Sequence, residues 1–518
     1  MEAHLVLWNG EVVPSPGEPE RAEGIAIIGE KIVAVGPGEA IRSWIGPQTE
    51  VVDLQRKVVL PGFNDAHIHL VQHGLNMLRW IDLAECRSIE EIVERLRLRA
   101  QEVPEGQWLL GQGFDQERLK EGRFPTAGDL DAASSRHPIF LTRLCLHAGV
   151  INSRARDLLD RQSLKDVDRG QFDWEKGLFT EHSLGPVWAA LPEPDREEMV
   201  AAVERASQAA IEVGVTSVQC LIASSQEVRA FLEARRRGSL STRVTLQYPL
   251  GLHRELAAGG LGTGFGDDIL KIGAIKIFAD GSLGARTAAL SAPYHDAPHA
   301  RGMLFFSDES LYKTAKAIHD SGFQIAIHAI GDAAVAQVVA VYETILGKGP
   351  DANERHRHRI EHASILRRDL LERMAQLRIV AAVQPQFVIT DFWTIERVGP
   401  ERIRYAYPFR SMLRKDIPLA FSSDCPVERL DPFETLARAM LRDEHTPQER
   451  LSLEEGLRAY TVGAAYADFE ENRKGFLRPG MLADLIILPQ GFLRWDASQV
   501  GAARPEAVLW GGRWAKRG

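Results

Sequence analysis

The 518-residue chain is 45% hydrophobic and 26% charged, enough apolar material for a large core and a second domain. Its formal net charge of −9 provides no global basic field, so neither nucleic acid nor anionic lipid is an expected partner. The opening MEAHLVLWNGEVV has no basic segment followed by an apolar one, and no apolar run approaches the about 20 residues that cross a bilayer; a soluble, cytoplasmic protein with no membrane partner is expected. Cys86, Cys145, Cys220 and Cys425 form no CxxC pair, which fits reduced thiols and argues against disulfides or a thiolate zinc site. Cys425 reads as a small buried filler.

Residues 1–57 read as short strands: His4–Trp8, a turn at Asn9-Gly10, Ile25–Ile28, a turn at Gly29-Glu30, and Ile32–Val35. The tail, 476–518, repeats that character at Asp484–Leu488 and Ala507–Trp510, after the Pro479-Gly480 turn. Two β-rich ends predict one small β-domain built from both termini.

The middle, 58–475, alternates strands with helical stretches, the pattern of a parallel sheet. The expected strands are Val58–Ala66, Val215–Cys220, Arg243–Tyr248, Gly273–Ala279, Gln324–His328, Arg359–His362, Ile379–Val383 and Pro418–Ser423. Eight such units predict a (β/α)8 TIM-type barrel, whose chemistry sits at the C-terminal strand ends. The stretch from about 100 to 190, with turns at Pro104-Glu105-Gly106 and Pro125–Gly128 and an apolar run Pro138–Leu144, exceeds one barrel helix. It reads as an insertion after the first barrel strand that covers the mouth and sets substrate choice. The basic runs RHRHR (355–359) and ARRR (234–237) read as solvated faces.

The strand-end rule can be applied to ligand-type residues. In PGFNDAHIHL (61–70), His67 and His69 are one residue apart and share a strand face, so both imidazoles can grip one ion. His328 ends QIAIH, His362 ends HRIEH, and Asp424 ends PLAFSSD. Lys276 lies inside the apolar strand IGAIKIF, on one face with Ile272, Ala274 and Phe278.

Histidine and carboxylate donors without thiolates suit Zn²⁺, with Mn²⁺, Fe²⁺ or Co²⁺ as substitutes. A buried ammonium beside divalent cations is disfavoured by desolvation and repulsion. Reaction of the neutral amine with CO₂ makes a carbamate whose two oxygens can bridge two metals; the alternative is a lysine off the metals, neutral or bound to substrate. A metal pair lowers the pKa of a bridging water and polarises a carbonyl, and Asp424 is placed to carry the water's proton to a leaving nitrogen.

These pieces resemble the amidohydrolase superfamily, and in detail the amidohydrolase family 3 group that contains N-substituted formamide deformylases. The matching segments are PGFNDAHIHL, PTAGDLDAASSRHPIFLTRLCLHAGVINSRA, KIFADGSLGARTAAL, IHAIGDAA, RIEHA, SSDCPVERLDPF and GFLRPGMLADLIIL, spread over essentially the whole chain. The resemblance implies a metal-dependent hydrolase whose barrel is flanked by a β-sandwich made from both ends. It aligns His67 and His69 with the first-strand ligands, Lys276 with the bridging lysine, His328 and His362 with the fifth- and sixth-strand ligands, and Asp424 with the eighth-strand aspartate. Arg143, His147, Asp280, Arg286, Asp332 and Gln384 are weaker candidates for lining the substrate pocket. Two departures are LCLHAG, where relatives often carry Gly before this His, and Gln219, where many carry an acid.

The expected activity is hydrolysis of a small-molecule, non-peptide amide such as an N-acyl or N-formyl amine. The alternatives are a mononuclear deaminase or cyclic amidase in the same barrel, and a catalytically silent binding or regulatory protein. The sequence leaves homo-oligomerisation open.

Overall fold

The computed structural model describes residues 2–143, 148–165, 172–347, 349, 351–442 and 444–517. The chain divides into two compact units, Met1–Val71 with Val203–Gly518, and Gln72–Ala202.

The first unit contains an eight-stranded parallel sheet. Its strands are β1 (Phe63–Ile68), β2 (Val215–Leu221), β3 (Arg243–Pro249), β4 (Leu270–Phe278), β5 (Ile325–Ala329), β6 (Arg359–His362), β7 (Val380–Val383) and β8 (Leu419–Phe421), paired in chain order. Beyond the last ladder, the Asp424 N–H donates to His67 O at 2.8 Å and the His69 N–H to Cys425 O at 2.8 Å, which draws the end of β8 onto β1. The (β/α)8 barrel is thereby nearly closed. The strands read as near-continuous buried runs, as expected where helices cover the outside. The helix Ser225–Arg237 between β2 and β3 shows how the local code works. The Ser224 hydroxyl accepts from the Glu227 N–H at its start, and Gly238, at φ 69°, ends it.

The apolar run expected as one strand, Val58–Ala66, serves two sheets instead. Val58–Pro61 pairs antiparallel with Leu485–Leu488, and β1 starts only at Phe63. Gly62 is the junction, packed so tightly that a Cβ there would lie 2.2 Å from Thr216 Oγ1. The sheet Glu11–Val12, Val58–Pro61, Leu485–Leu488, Ala507–Trp510 and Arg513–Arg517 faces a second one, Leu5–Trp8, Gly24–Ile28, Lys31–Gly36 and Glu50–Asp53. Alternate residues of both, among them Leu5, Leu7, Ile25, Ile27, Val59, Leu485, Ile487 and Leu509, share one core. This is a small β-sandwich built from both ends of the chain.

The RHRHR run is solvated only at its start, where Arg355 is exposed. His358 and Arg359 are fully buried and Arg357 is 8% exposed. Arg357 stacks on Tyr466 at 4.0 Å and pairs with Glu471 at 2.8 Å, while Arg359 enters the barrel interior. Charge on a strand entry is tolerated here because both buried guanidiniums are paired, Arg359 with Glu361.

The second unit, following β1 in the chain, has its own six-stranded sheet: Trp80–Asp82, Leu109–Phe114, Ile139–Arg143, Ala148–Ile151, Leu178–Thr180 and Phe172–Asp173. The two-residue period splits it between two cores. Leu109, Ile139, Leu141 and Val150 pack with the helix Ile89–Glu102, whereas Leu110, Phe140, Ile151 and Phe179 pack on the other face. Cys145 and His147 lie outside the described residues. No helix among the described residues is long and apolar enough to cross a membrane.

Gly62→Ala should destabilise the protein by about 1–3 kcal/mol, because the buried β-branched Thr216 cannot swing away from the new Cβ. Urea denaturation would read this as a lower midpoint, and wild-type stability would show that the strand junction has room to spare.

Candidate metal centre

His67, His362 and Asp424 are buried, and their ligand atoms lie within 4.8 Å of one another. Asp424 Oδ1 is 3.3 Å from His67 Nε2 and 3.2 Å from His69 Nε2. The His328 ring stands 4.5 Å from that of His362, centroid to centroid, and the His67 ring 5.3 Å from it. Lys276, from β4, is 2% exposed, and its Nζ has no hydrogen-bond partner. Donors from β1, β5, β6 and the end of β8 thus gather at the C-terminal end of the barrel.

Strand alternation explains only part of this. His67 and His69 share the inward face of β1, and Gln324, Ala326 and His328 follow the same rule along β5. Along β6 the rule places Arg359 and Glu361 together, with Ile360 and His362 opposite. His362 reaches the cluster because the backbone leaves the strand there, with φ of 72° at His362 and 47° at Ala363. Asp424, at φ 57°, is turned in the same way. Non-glycine residues in this region cost on the order of 1–3 kcal/mol each and persist where surrounding structure compels them.

Three of the four histidines, His67, His362 and His328, are each fixed by a hydrogen-bond partner on one ring nitrogen. His67 Nδ1 donates to the Glu361 carboxylate, leaving Nε2 toward Asp424. His362 Nδ1 donates to Gln384 Oε1 at 2.9 Å, leaving Nε2 free. His328 Nε2 donates to Gly281 O at 3.0 Å, so Nδ1 carries its free lone pair. Glu361 is held in turn by Arg359, whose remaining donors go to Gln219 Oε1 and to Ala66 O at 2.7 Å. Such partners orient a metal-binding imidazole and select its tautomer. Arg359 and Glu361 were not among the sequence candidates. Their signal was two charges at i and i+2 inside a buried strand. Asp65, also overlooked, accepts from the Ser423 N–H at 3.1 Å and the Tyr460 hydroxyl at 3.1 Å, tying β1 to the end of β8. Burial pushes its carboxyl up to about 6 against those donors.

Burial and neighbouring charges set the donors apart electrostatically. Burial holds His328 well below the ordinary histidine range and His362 down to about 4, so both are neutral at pH 7. Burial and the Lys276 charge push His67 down, yet Glu361 and Asp424 prevail and hold it above the usual value. Asp424 stays well below the carboxylate range despite burial, through His67 and His69. Burial lowers Lys276 to about 8.

The remaining candidates have other partners. Asp280 is fully buried, and its carboxylate accepts from the N–H groups of Ala289, Ile330 and Gly331 at 2.9–3.0 Å. Arg286 pairs with Asp296 at 2.7 Å, and Asp332 with Arg367 at 2.8 Å. Gln384 supports His362 and donates to Ser422 Oγ at 2.8 Å. Gln219 is buried, accepting from Arg359 and donating to Ala464 O at 2.8 Å. In the second unit, Arg143 pairs with Asp115 at 3.0 Å. Cys425 is 1% exposed with its thiol pushed up by burial, as a filler should be.

A second histidine group, His319, His356 and His358, lies at the opposite, N-terminal end of β5 and β6. It is a poor metal cup. His358 Nδ1 accepts from the Ile325 N–H at 3.1 Å, so its proton sits on Nε2, which donates to His319 Nδ1 at 2.9 Å. A neutral His358 therefore has no lone pair left for an ion.

A model described as the amidohydrolase family matches residues 50–515. The crystal structure of an uncharacterised metal-dependent hydrolase from Pyrococcus furiosus superposes with a TM-score of 0.81 at 33% identity, over 94% of this chain and 99% of that one. The putative amidohydrolase YtcJ of Bacillus subtilis (strain 168) is 29% identical over 95% of this chain and 96% of its own length. The N-substituted formamide deformylase of Arthrobacter pascens is 26% identical over 93% of each. With its buried histidine and aspartate cluster at the mouth of an eight-stranded barrel, this chain belongs to the amidohydrolase family and is a metal-dependent hydrolase.

Proposed function

We propose that the chain hydrolyses the amide of an N-acyl or N-formyl amine at a centre of two divalent ions, zinc first among them, held by His67, His69, Lys276, His328, His362 and Asp424. The observation that carries this reading is Lys276, a buried amine whose Nζ has no hydrogen-bond partner although it lies within the fields of Glu361 and Asp424. As an ammonium it would repel divalent ions. Addition of its neutral amine to CO₂ forms an N–C bond, releases a proton and yields an anionic carbamate, a fitting ligand between two cations. The imidazole and carboxylate donors, free of thiolate, suit zinc. The similarity to an N-substituted formamide deformylase supports the substrate class.

When bound, the metals supply a water acidified toward neutrality and polarise the substrate carbonyl. Asp424, ionised and within 3.3 Å of both first-strand histidines, takes the water's proton and passes it to the departing nitrogen. Glu361, Gln384 and the Gly281 carbonyl keep His67, His362 and His328 in the tautomers that present a lone pair. A second reading, deamination or cyclic-amide hydrolysis at one ion, is favoured by the convergence of His67, His362 and Asp424 within 4.8 Å. Ammonia release together with one metal per chain would select it.

Elemental analysis of protein purified without chelators should find about two metals per chain, the number a carbamate bridge serves. Asp424→Asn should keep bound metal but lose at least about 10²-fold in turnover of N-formyl amines, and a near-normal rate would remove the proton carrier. Lys276→Ala should lower metal content, with two metals retained counting against the carbamate.

A further inference from the structure

The histidines of the proposed centre differ in what stands behind them. His67 Nδ1 donates to an anion, the fully buried Glu361 carboxylate. His362 donates to a neutral amide oxygen, Gln384 Oε1 at 2.9 Å, and His328 to a neutral backbone carbonyl, Gly281 O at 3.0 Å; the Asp280 carboxylate lies beyond hydrogen-bond distance of that nitrogen, at 3.6 Å, and is taken up by the N–H groups of Ala289, Ile330 and Gly331. Arg359 grips Glu361 from the far side, Nε to Oε1 at 2.5 Å and Nη2 to Oε2 at 3.1 Å. Its hold on Gln219 Oε1 and Ala66 O anchors the pair to the barrel interior, so the carboxylate cannot turn away. An imidazole whose N–H is given to a carboxylate is a stronger donor through its other nitrogen than one whose N–H is given to a neutral oxygen.

We infer that Glu361 makes the position served by His67 the tight metal site of the centre, and that the position served by His328 and His362 fills second and empties first. This rests on the two-metal reading above. Glu361 and Arg359 touch neither substrate nor reacting atoms in this scheme and act as positioning residues through His67.

The test is a titration of chelator-stripped full-length protein with Zn²⁺ against a chromophoric chelator, in bicarbonate buffer. Wild type should bind in two unequal steps. Glu361→Gln should weaken the first step by about 10–100-fold and leave the second in place. A glutamine cannot accept from both Arg359 and His67, because its amide N–H₂ must face one of them, so Arg359→Met/Glu361→Gln provides a second variant without that clash. Gln384→Ala should weaken only the second step. Circular dichroism and melting establish that each variant is folded. Two equal steps in wild type, an undiminished first step in either folded Glu361 variant, or a first step moved by Gln384→Ala would overturn the inference. A wild-type stoichiometry of one overturns the two-metal reading instead, and the Glu361 variants then decide whether that single affinity depends on the carboxylate.

Discussion

The seam between the first and last barrel strands carries the rest of the structure. The Asp424 N–H donates to His67 O and the His69 N–H to Cys425 O, each at 2.8 Å, while the Asp65 carboxylate accepts from the Ser423 N–H. These bonds close the sheet and, by the same register, bring the β1 histidines within 3.3 Å of the Asp424 carboxylate. A barrel that closed one residue out of step would turn these side chains to the opposite face and scatter the donors. Closure and site assembly are therefore one event, and the positive φ at Asp424 and His362 is the strain that this register stores.

Below the histidines the barrel interior is polar, which is unusual for a core and expensive. Arg359 and Glu361 are both fully buried. Their mutual attraction, with Gln219 and Ala66 O accepting further Arg359 protons and His67 Nδ1 donating to Glu361, offsets the desolvation that two isolated charges would suffer. A well-packed apolar pair of the same volume could serve stability equally well. What it could not do is hold His67 in one tautomer with Nε2 turned to the cluster. The same logic appears in weaker form at Gln384 and at the Gly281 carbonyl. A short chain of oriented dipoles and charges is fixed by the barrel before any ion arrives, so little reorganisation accompanies binding.

Much of this was legible in the residues. Eight strand segments, four of them ending in ligand-type side chains and a fifth carrying Lys276, predict a barrel, and the paired β-rich termini predict the sandwich, because periodicity and strand-end chemistry are local properties. The errors also share a cause. Val58–Ala66 looked like one strand because hydrophobicity does not reveal which sheet a strand joins; the close packing of Gly62 on Thr216 decides that. RHRHR looked solvated because charge normally faces water, whereas here its two buried guanidiniums have partners far away in sequence, Arg357 with Glu471 and Arg359 with Ala66 O.

By itself, then, the sequence determined the kind of fold and the identity of the donors, since both follow from short-range pattern: two-residue alternation, turn residues, and histidines or an aspartate where apolar runs end. Only the tertiary structure decided what those donors see. That Glu361 stands behind His67, Gln384 behind His362 and the Gly281 carbonyl behind His328 depends on contacts spanning 294, 22 and 47 residues of chain. A hydrogen bond over such separations is set by how the strands are wound and closed, and no local pattern encodes it. The electronic inequality of the histidines therefore became visible only once the barrel was closed.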